Sequence, residues 1–275
     1  METIQLALHE LLRSCGLRRV TEPIEKKALP SIRLRAKAVD ENLLELGGTK
    51  FGGRPDLPQG VSWPEFDGTP LPFVAQINLS AIASCGIGQV LPKNGILYFF
   101  LDVDAYFDKL PSQELYQNTY YVLYSLDSLE NLQRSVFPES LQVRYHPCKI
   151  LCNSEITLPA YSKYDPTTFK RCGFIAPLSE EEEEGYDIIK SQLSWTAGIK
   201  YHVPIHRLLG YADNNQWDMY AELGGSPENW KLLFQVDSDD ATDTEWGDTG
   251  RIYFWIPTKD LQQHDFTHVR LILQC

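Results

Sequence analysis

The sequence predicts an α+β fold dominated by β-structure. Two β-rich halves, about 45–125 and 205–275, form one compact domain over residues 1–275, with flanking helices. Three observations carry this. Apolar runs of strand length recur between turn residues. Helical periodicity is clear in two stretches, 3–15 and the run opened by Ser179. Four elements of the first half return in the same order in the second, which points to an internal duplication.

The matching elements are specific. Gly52-Gly53-Arg54-Pro55-Asp56 is paralleled by Leu209-Gly210-Tyr211-Ala212-Asp213, and Val74-Ala75-Gln76-Ile77-Asn78 by Leu233-Phe234-Gln235-Val236-Asp237. Gly95–Phe100 is paralleled by Gly250–Trp255, and Val122–Tyr124 by Val269–Leu273. The spacing from Gly53 to Gln76 is 23 residues and from Gly210 to Gln235 is 25. Apolar strands look alike, so one pairing would mean little. Four in order imply a pseudo-symmetric core in which each half supplies a glutamine beside a hydrophobic strand.

In chain order, Ile4, Leu8, Leu11, Leu12 and Cys15 share one helical face, and Gly16 supplies a C-terminal stop. Ile32, Leu34, Ala36 and Ala38 alternate with Arg33, Arg35 and Lys37, the pattern of a half-buried strand. Residues 47–79 hold six glycines and five prolines around Phe51, Leu57, Trp63, Phe66 and Leu71. Proline fixes φ and glycine opens positive φ, so this run reads as a defined loop path packed on its own anchors. Trp63, held extended by Pro64, is expected to be largely buried as the main anchor. The run resolves into a strand at Phe73–Leu79.

Further strands are expected at Gly95–Leu101 and Tyr120–Tyr124, a short helix at 127–135, a strand around Val143 and Tyr145, and loop over 156–178. Ser179 and Glu182 match a capping box. Glu180–Glu184 then read as a solvated first turn that the helix dipole favours, rather than as a cation site.

A net charge of −12 and a pI near 5.0 argue against nucleic acid and anionic membranes as partners, and allow a basic protein. No window approaches the ~18–20 apolar residues of a membrane span. Glu2, His9, Glu10 and Arg13 interrupt the N-terminal apolar run, so no signal peptide is read there. The six cysteines form no CxxC pair and read as reduced thiols of a cytoplasmic protein.

In combination, several motifs resemble the YwqG-like family, bacterial proteins containing a domain of unknown function. They are Gly52-Gly53-x-Pro55, Trp63-Pro64, Leu71-Pro-Phe-Val-Ala-Gln-Ile-Asn-Leu79 and Leu91-Pro-x-x-Gly95. In the second half they are Leu208-Leu-Gly210, Gln235-Val-Asp237, Trp246-Gly-Asp248-x-Gly250 before Ile252–Ile256, Asp260-Leu261, Asp265-Phe266 and Gln274-Cys275. The resemblance covers about residues 28–275. It implies a β-dominated α+β fold with internal duplication, and it carries over no catalytic residue.

Three constellations bear on chemistry. Asp237–Asp248 holds six carboxylates in twelve residues, but an EF-hand frame there puts Thr242 where glycine is required and Asp248 at the last ligand. Asx-turns explain the same residues. His202/His206 and His264/His268 have i, i+4 spacing, yet Pro204 interrupts the first pair and the second straddles an element boundary, so no zinc site is assigned. Gly47–Arg54 is glycine-rich and basic but lacks the phosphate-loop frame, and a turn leading into Pro55 is the simpler reading. No catalytic residue, metal or cofactor is nominated.

Two functions follow as expectations. The first is a non-enzymatic protein-binding module whose acidic surface steers a basic partner, with immunity-type neutralisation of that partner as its specific form. The second is an enzyme or small-ligand protein with a site between the halves, where Arg54, Trp63, Gln76 and Gln235 converge.

Overall fold

A computed structural model describes residues 2–85, 90–109, 116–194 and 203–275. The chain opens with α1 (Glu2–Ser14), α2 (Thr21–Lys27) and the long strand β1 (Leu29–Ala38). The turn-rich stretch carries β2 (Lys50–Phe51), β3 (Asp56–Pro58), β4 (Glu65–Phe66) and β5 (Thr69–Pro70) before β6 (Phe73–Asn78). Then come α3 (Leu79–Ile82), β7 (Ile96–Leu101), α4 (Val103–Lys109), β8 (Tyr120–Ser125), β9 (Leu132–Arg134) and β10 (Cys148–Thr157). α5 (Pro166–Arg171) and α6 (Glu180–Ser194) precede β11 (His206–Leu208), α7 (Tyr220–Leu223) and β12 (Trp230–Asp237). The chain finishes with β13 (Arg251–Pro257), α8 (Thr258–Gln263) and β14 (Arg270–Gln274).

Ten of the strands form one sheet, ordered β14-β13-β12-β11-β1-β10-β2-β6-β7-β8, with antiparallel neighbours throughout. β1 and β10 pair from Leu29↔Thr157 to Ala38↔Cys148 and form its centre. Outward from that centre the same succession occurs on either side: a short strand (β11 or β2), a long one (β12 or β6), its hairpin partner (β13 or β7), and an edge strand. The long strands each carry a register shift, at Leu232/Phe234 and at Phe73/Ala75.

The sheet folds back on itself. Phe99 on β7 meets Phe254 on β13 with ring centroids 4.9 Å apart and Phe234 on β12 at 4.7 Å, although these strands lie far apart in sheet order. At the far edges the Tyr120 hydroxyl donates to the Val269 carbonyl at 3.0 Å, and Tyr124 meets Phe266 at 5.0 Å. The result is a nearly closed sheet around a shared core. Leu97, Phe99 and Leu101 point inward beside Ile252, Phe254 and Ile256. Ile96, Tyr98 and Phe100 point outward to one covering cluster, and Tyr253 and Trp255 to another. Strands covered on both faces must be apolar at every position, which is why these segments lack alternation.

The helices α1, α2 and α6 pack Leu8, Leu12, Ile24, Tyr186 and Ile189 over Ile156 and Leu158 as a cap. The expected capping box forms: Glu182 N donates to Ser179 Oγ at 3.2 Å and Ser179 N to Glu182 Oε2 at 3.0 Å. No helix among the described residues is long and apolar enough to cross a membrane.

The structure corrects several expectations. Residues 127–135 form a 3-10 turn and then β9, because Leu132 turns into a buried ladder with β3. Val143 and Tyr145 lie in irregular chain, and the strand begins at Cys148 instead. Within 156–178, α5 forms behind an Asp165 cap whose side chain accepts the Thr167 N–H. β1 is buried at Ile32, Arg33 and Leu34 alike, since Arg33 has a carboxylate partner. The loop 47–72 contains short ladders, including a hairpin over Asp67-Gly68, where both residues take positive φ.

Trp63 is only partly buried. Its indole N–H donates to the Leu71 carbonyl at 2.8 Å and its ring packs edgewise on Phe100, so it clips the loop down while keeping one side in solvent. The fully buried indole is that of Trp246, bonded to the Asp237 carbonyl at 3.0 Å and packed on Tyr145. Trp246→Ala should therefore cost about 3–5 kcal/mol in denaturant unfolding, and Trp63→Ala about 2 kcal/mol. Equal losses would contradict this assignment.

Candidate functional site

Each half of the sheet carries an aspartate at the end of a shared spacing, Asp56 fully buried and Asp213 largely so. In the first half this is Lys50-x-x-Gly53-x-x-Asp56, in the second Arg207-x-x-Gly210-x-x-Asp213. Both glycines take positive φ and both are crowded: a Cβ on Gly53 would lie 2.6 Å from Glu41 Oε1, and one on Gly210 2.7 Å from Ser31 Cβ. Only glycine lets the chain turn there and deliver the aspartate beneath the sheet.

Gln76 and Gln235 receive these aspartates in the same manner. Gln76 Oε1 accepts the Asp56 N–H at 2.8 Å while its Nε2 donates to the Gly48 carbonyl at 2.8 Å. Gln235 Oε1 accepts the Asp213 N–H at 3.0 Å while its Nε2 donates to the Ile205 carbonyl at 2.8 Å. Each glutamine lies opposite a tyrosine in register, and each tyrosine hydroxyl donates to the aspartate carbonyl at 2.7 Å, Tyr98 to Asp56 and Tyr253 to Asp213.

The charges differ between halves. Asp56 Oδ2 takes Lys50 Nζ at 3.0 Å and Oδ1 takes Arg134 Nε at 2.8 Å. Burial pushes the Lys50 ammonium down to about 8, with Asp56 pulling the other way. Burial would raise the Asp56 carboxyl, but Arg134 and Lys50 outweigh it and hold it below the usual range. In the second half Arg207 bridges Glu155, at 2.8 Å, and Asp213, and Glu155 also accepts from Arg33 at 2.9 Å. Arg251 pairs with Asp237 at 2.7 Å. Burial again opposes the Asp213 carboxylate, and Arg207 with Lys190, Arg251 and Arg33 keeps it below the usual range.

The structure does not bring the four sequence-nominated residues together. Gln76 and Gln235 are fully buried in separate networks. Arg54 Nε is bound to Glu41 Oε2 at 2.7 Å, and Trp63 sits on the outer cluster of the first half. Lys50, Asp56, Tyr98, Arg134, Arg207, Asp213 and Tyr253 were not nominated. For all of them but Arg134 a signal is present in the paired spacings above and in Gly95-x-x-Tyr98 beside Gly250-x-x-Tyr253.

The other constellations resolve into hydrogen bonds. Asp239 accepts from Ala241 N at 2.8 Å and contacts His206 Nε2 at 3.0 Å, and Asp237 Oδ2 accepts from Ile205 N at 2.8 Å. His206 Nδ1 accepts the Asp237 N–H, which puts the ring proton on Nε2 facing Asp239. His202 lies outside the described residues. His264 is a left-handed helix cap, and His268 is exposed beside Asp260. Among the described residues no group of three or more His, Cys, Asp or Glu could hold a metal ion. All six cysteines are free, and burial pushes the Cys148 thiol up to about 12 and those of Cys152 and Cys172 to about 11, which disfavours the nucleophilic thiolate.

Besides a groove of about 590 Å³ along α6, two open grooves are formed by several elements of the described residues. One, of about 790 Å³, lies between α2, α5 and the segment from Gly210 to β12. The other, of about 730 Å³, lies where the sheet edges approach, between Tyr120 or Tyr121 and Val269 or Arg270.

This fold, a strongly curved antiparallel sheet with two covered outer faces, defines a mixed, sheet-rich protein. The chain belongs to the family described as Domain of unknown function (DUF1963), whose model matches residues 49–275. No curated protein matches it.

Two outcomes follow from the buried networks. Gln76→Leu should cost about 1–3 kcal/mol for each backbone group left unpaired, with Gln235→Leu behaving alike in urea titrations. The alkaline limb should be steep. Burial raises Tyr98, Tyr145 and Tyr253 and pushes Tyr220 up to about 12, so their stabilising effect is complete below the unfolded value of about 10 and is lost as pH rises beyond it. Lys50, lowered in the fold, works the other way: its contribution is full above the unfolded value near ~10.4 and is lost as pH falls toward about 8. The share of phenolate absorbance that comes from these four tyrosines should therefore appear together with loss of circular dichroism, not before it.

Proposed function

We propose that the chain is a non-enzymatic protein-binding module that engages a basic protein partner, with immunity-type neutralisation as its specific form. We also infer that it is one domain made by duplication of its two β-rich halves, of the YwqG-like grouping. The paired Gly-x-x-Asp, Gln and Tyr positions and the succession of strands either side of β1 and β10 support the duplication.

The observation that carries the binding reading is the outer surface of the helical cap. α6 presents Glu180, Glu181, Glu184 and Asp187 to solvent, and Tyr164 and Ile175 on the adjoining loops are 86% and 97% exposed. Large apolar side chains inside a charged rim are the usual make-up of a contact patch. The interior supports it too. Arg33, Lys50, Arg207 and Arg251 are buried in ion pairs with carboxylates, so these charges cancel inside and the net charge of −12 is carried by the rest of the chain. Such a field speeds encounter with a basic protein.

A second reading, a small-ligand or enzymatic site between the halves, is favoured by the groove at the sheet edges, which both halves line. The test uses the whole chain as bait, with native mass spectrometry of what it retains. Glu180→Lys/Glu184→Lys/Asp187→Lys should abolish capture of a basic partner, and raised salt should weaken it in the wild type. Capture that survives both would rule out the acidic cap.

A further inference from the structure

The acidic character of the chain is interrupted at one groove of the described residues. The groove of about 790 Å³ gathers five cations, Lys26, Lys27, Lys170, Arg171 and Lys231, on a chain of net charge −12. Two are already committed: Arg171 pairs with Asp218 and contacts Asp165 at 3.8 Å, and Lys26 pairs with Glu22 at 2.5 Å. Asp165 is also occupied as the cap of α5. Lys27, Lys170 and Lys231 have no ion-pair partner among the described residues, although Glu228 on the rim lies within electrostatic reach of Lys27. Three ammonium groups without an ion-pair partner line one concavity beside the carboxylate of Glu228, and they gain from an anion placed among them.

The wall of the groove is aromatic. Tyr211, Tyr220 and Trp230 line it, each partly exposed, and the hydroxyls of Tyr211 and Tyr220 have no partner among the described residues. Arg171 lies over the Tyr220 ring at 5.5 Å and Arg270 over Trp230 at 5.8 Å, which holds both rings in place. Gly173 leaves room for the Lys27 stem, since a Cβ there would meet its Cε at 3.2 Å. The volume lies within the roughly 300–1,000 Å³ of small-molecule sites.

We infer that this groove binds a small organic phosphate carrying a planar ring, the nucleotide class. The available cations are lysines, point charges suited to phosphate oxygens, while the arginine fork that would favour a carboxylate is closed by Asp218. The rings supply a stacking surface for the planar part. The negative field around the groove excludes long polyanions and leaves only a compact ligand able to enter. This site is separate from the acidic cap, so either can fail without the other.

Titration calorimetry of the intact chain with adenosine diphosphate, inorganic pyrophosphate and polyglutamate tests it. Adenosine diphosphate should bind saturably and more tightly than pyrophosphate. Lys170→Glu/Lys231→Glu should weaken it by at least about tenfold at an unchanged melting temperature, and Lys93→Glu, on an exposed lysine that does not line the groove, should not. Trp230→Leu should remove the preference for adenosine diphosphate while pyrophosphate still binds. The inference is overturned by no saturable binding up to about 1 mM, a concentration equivalent to only ~4 kcal/mol of affinity. Equal binding of the two phosphates, an equal effect of Lys93→Glu, or tighter binding of polyglutamate would overturn it as well.

Discussion

β6, β7, β12 and β13 are buried on both faces, and most other features of the molecule are consequences of that double burial. Three of them meet across the shared core through Phe99 on β7, Phe234 on β12 and Phe254 on β13. Their outer faces then need a second covering, and only the connecting segments are at hand to give it. Segments laid over a sheet bring backbone N–H and C=O groups into places without water, and each must find a partner. Gln76 and Gln235 meet that demand, each satisfying one backbone N–H and one carbonyl of the covering chain. Tyr98 and Tyr253 satisfy the aspartate carbonyls beside them.

The buried carboxylates follow from the same geometry. Asp56 and Asp213 close the turn after a left-handed glycine, and their charges need cations at hand. Lys50 with Arg134, and Arg207 with Arg33 across Glu155, supply them. Removing one partner of such a pair leaves an uncompensated charge, which costs far more than the pair itself contributes. These networks are engaged with themselves, and so are poor candidates for a reactive centre. The surface is where interaction is open: an acidic cap at α6 and a basic, aromatic groove between α2, α5 and β12.

Local signals were enough for the sheet-rich α+β class, for β6, β7, β8, β12, β13 and β14 to within a residue or two, and for the helices α1 and α6. Unbroken apolar runs between turns, helical periodicity and a capping box at Ser179 all lie within a few residues of the element they mark. Gln76 and Gln235 were legible in the same way, because a glutamine inside an apolar strand stands out wherever it is read. Their task was not, for the groups they satisfy lie 20 to 30 residues away.

The long central strand β10 was hidden for a like reason. Its burial alternates unevenly, and its pairing partner β1 lies more than a hundred residues earlier, so no local pattern marks it. The paired spacing of the charges was legible, but their burial was not. Lys50 and Arg207 read as surface residues until Asp56 and Asp213 are folded against them, since only a partner makes an interior cation tolerable. Trp63 and Trp246 differ in the same manner. Both are flanked by turn residues, and it took the path of the folded chain to leave one at the rim of an outer cluster and to enclose the other in the core, where the sheet closes over it.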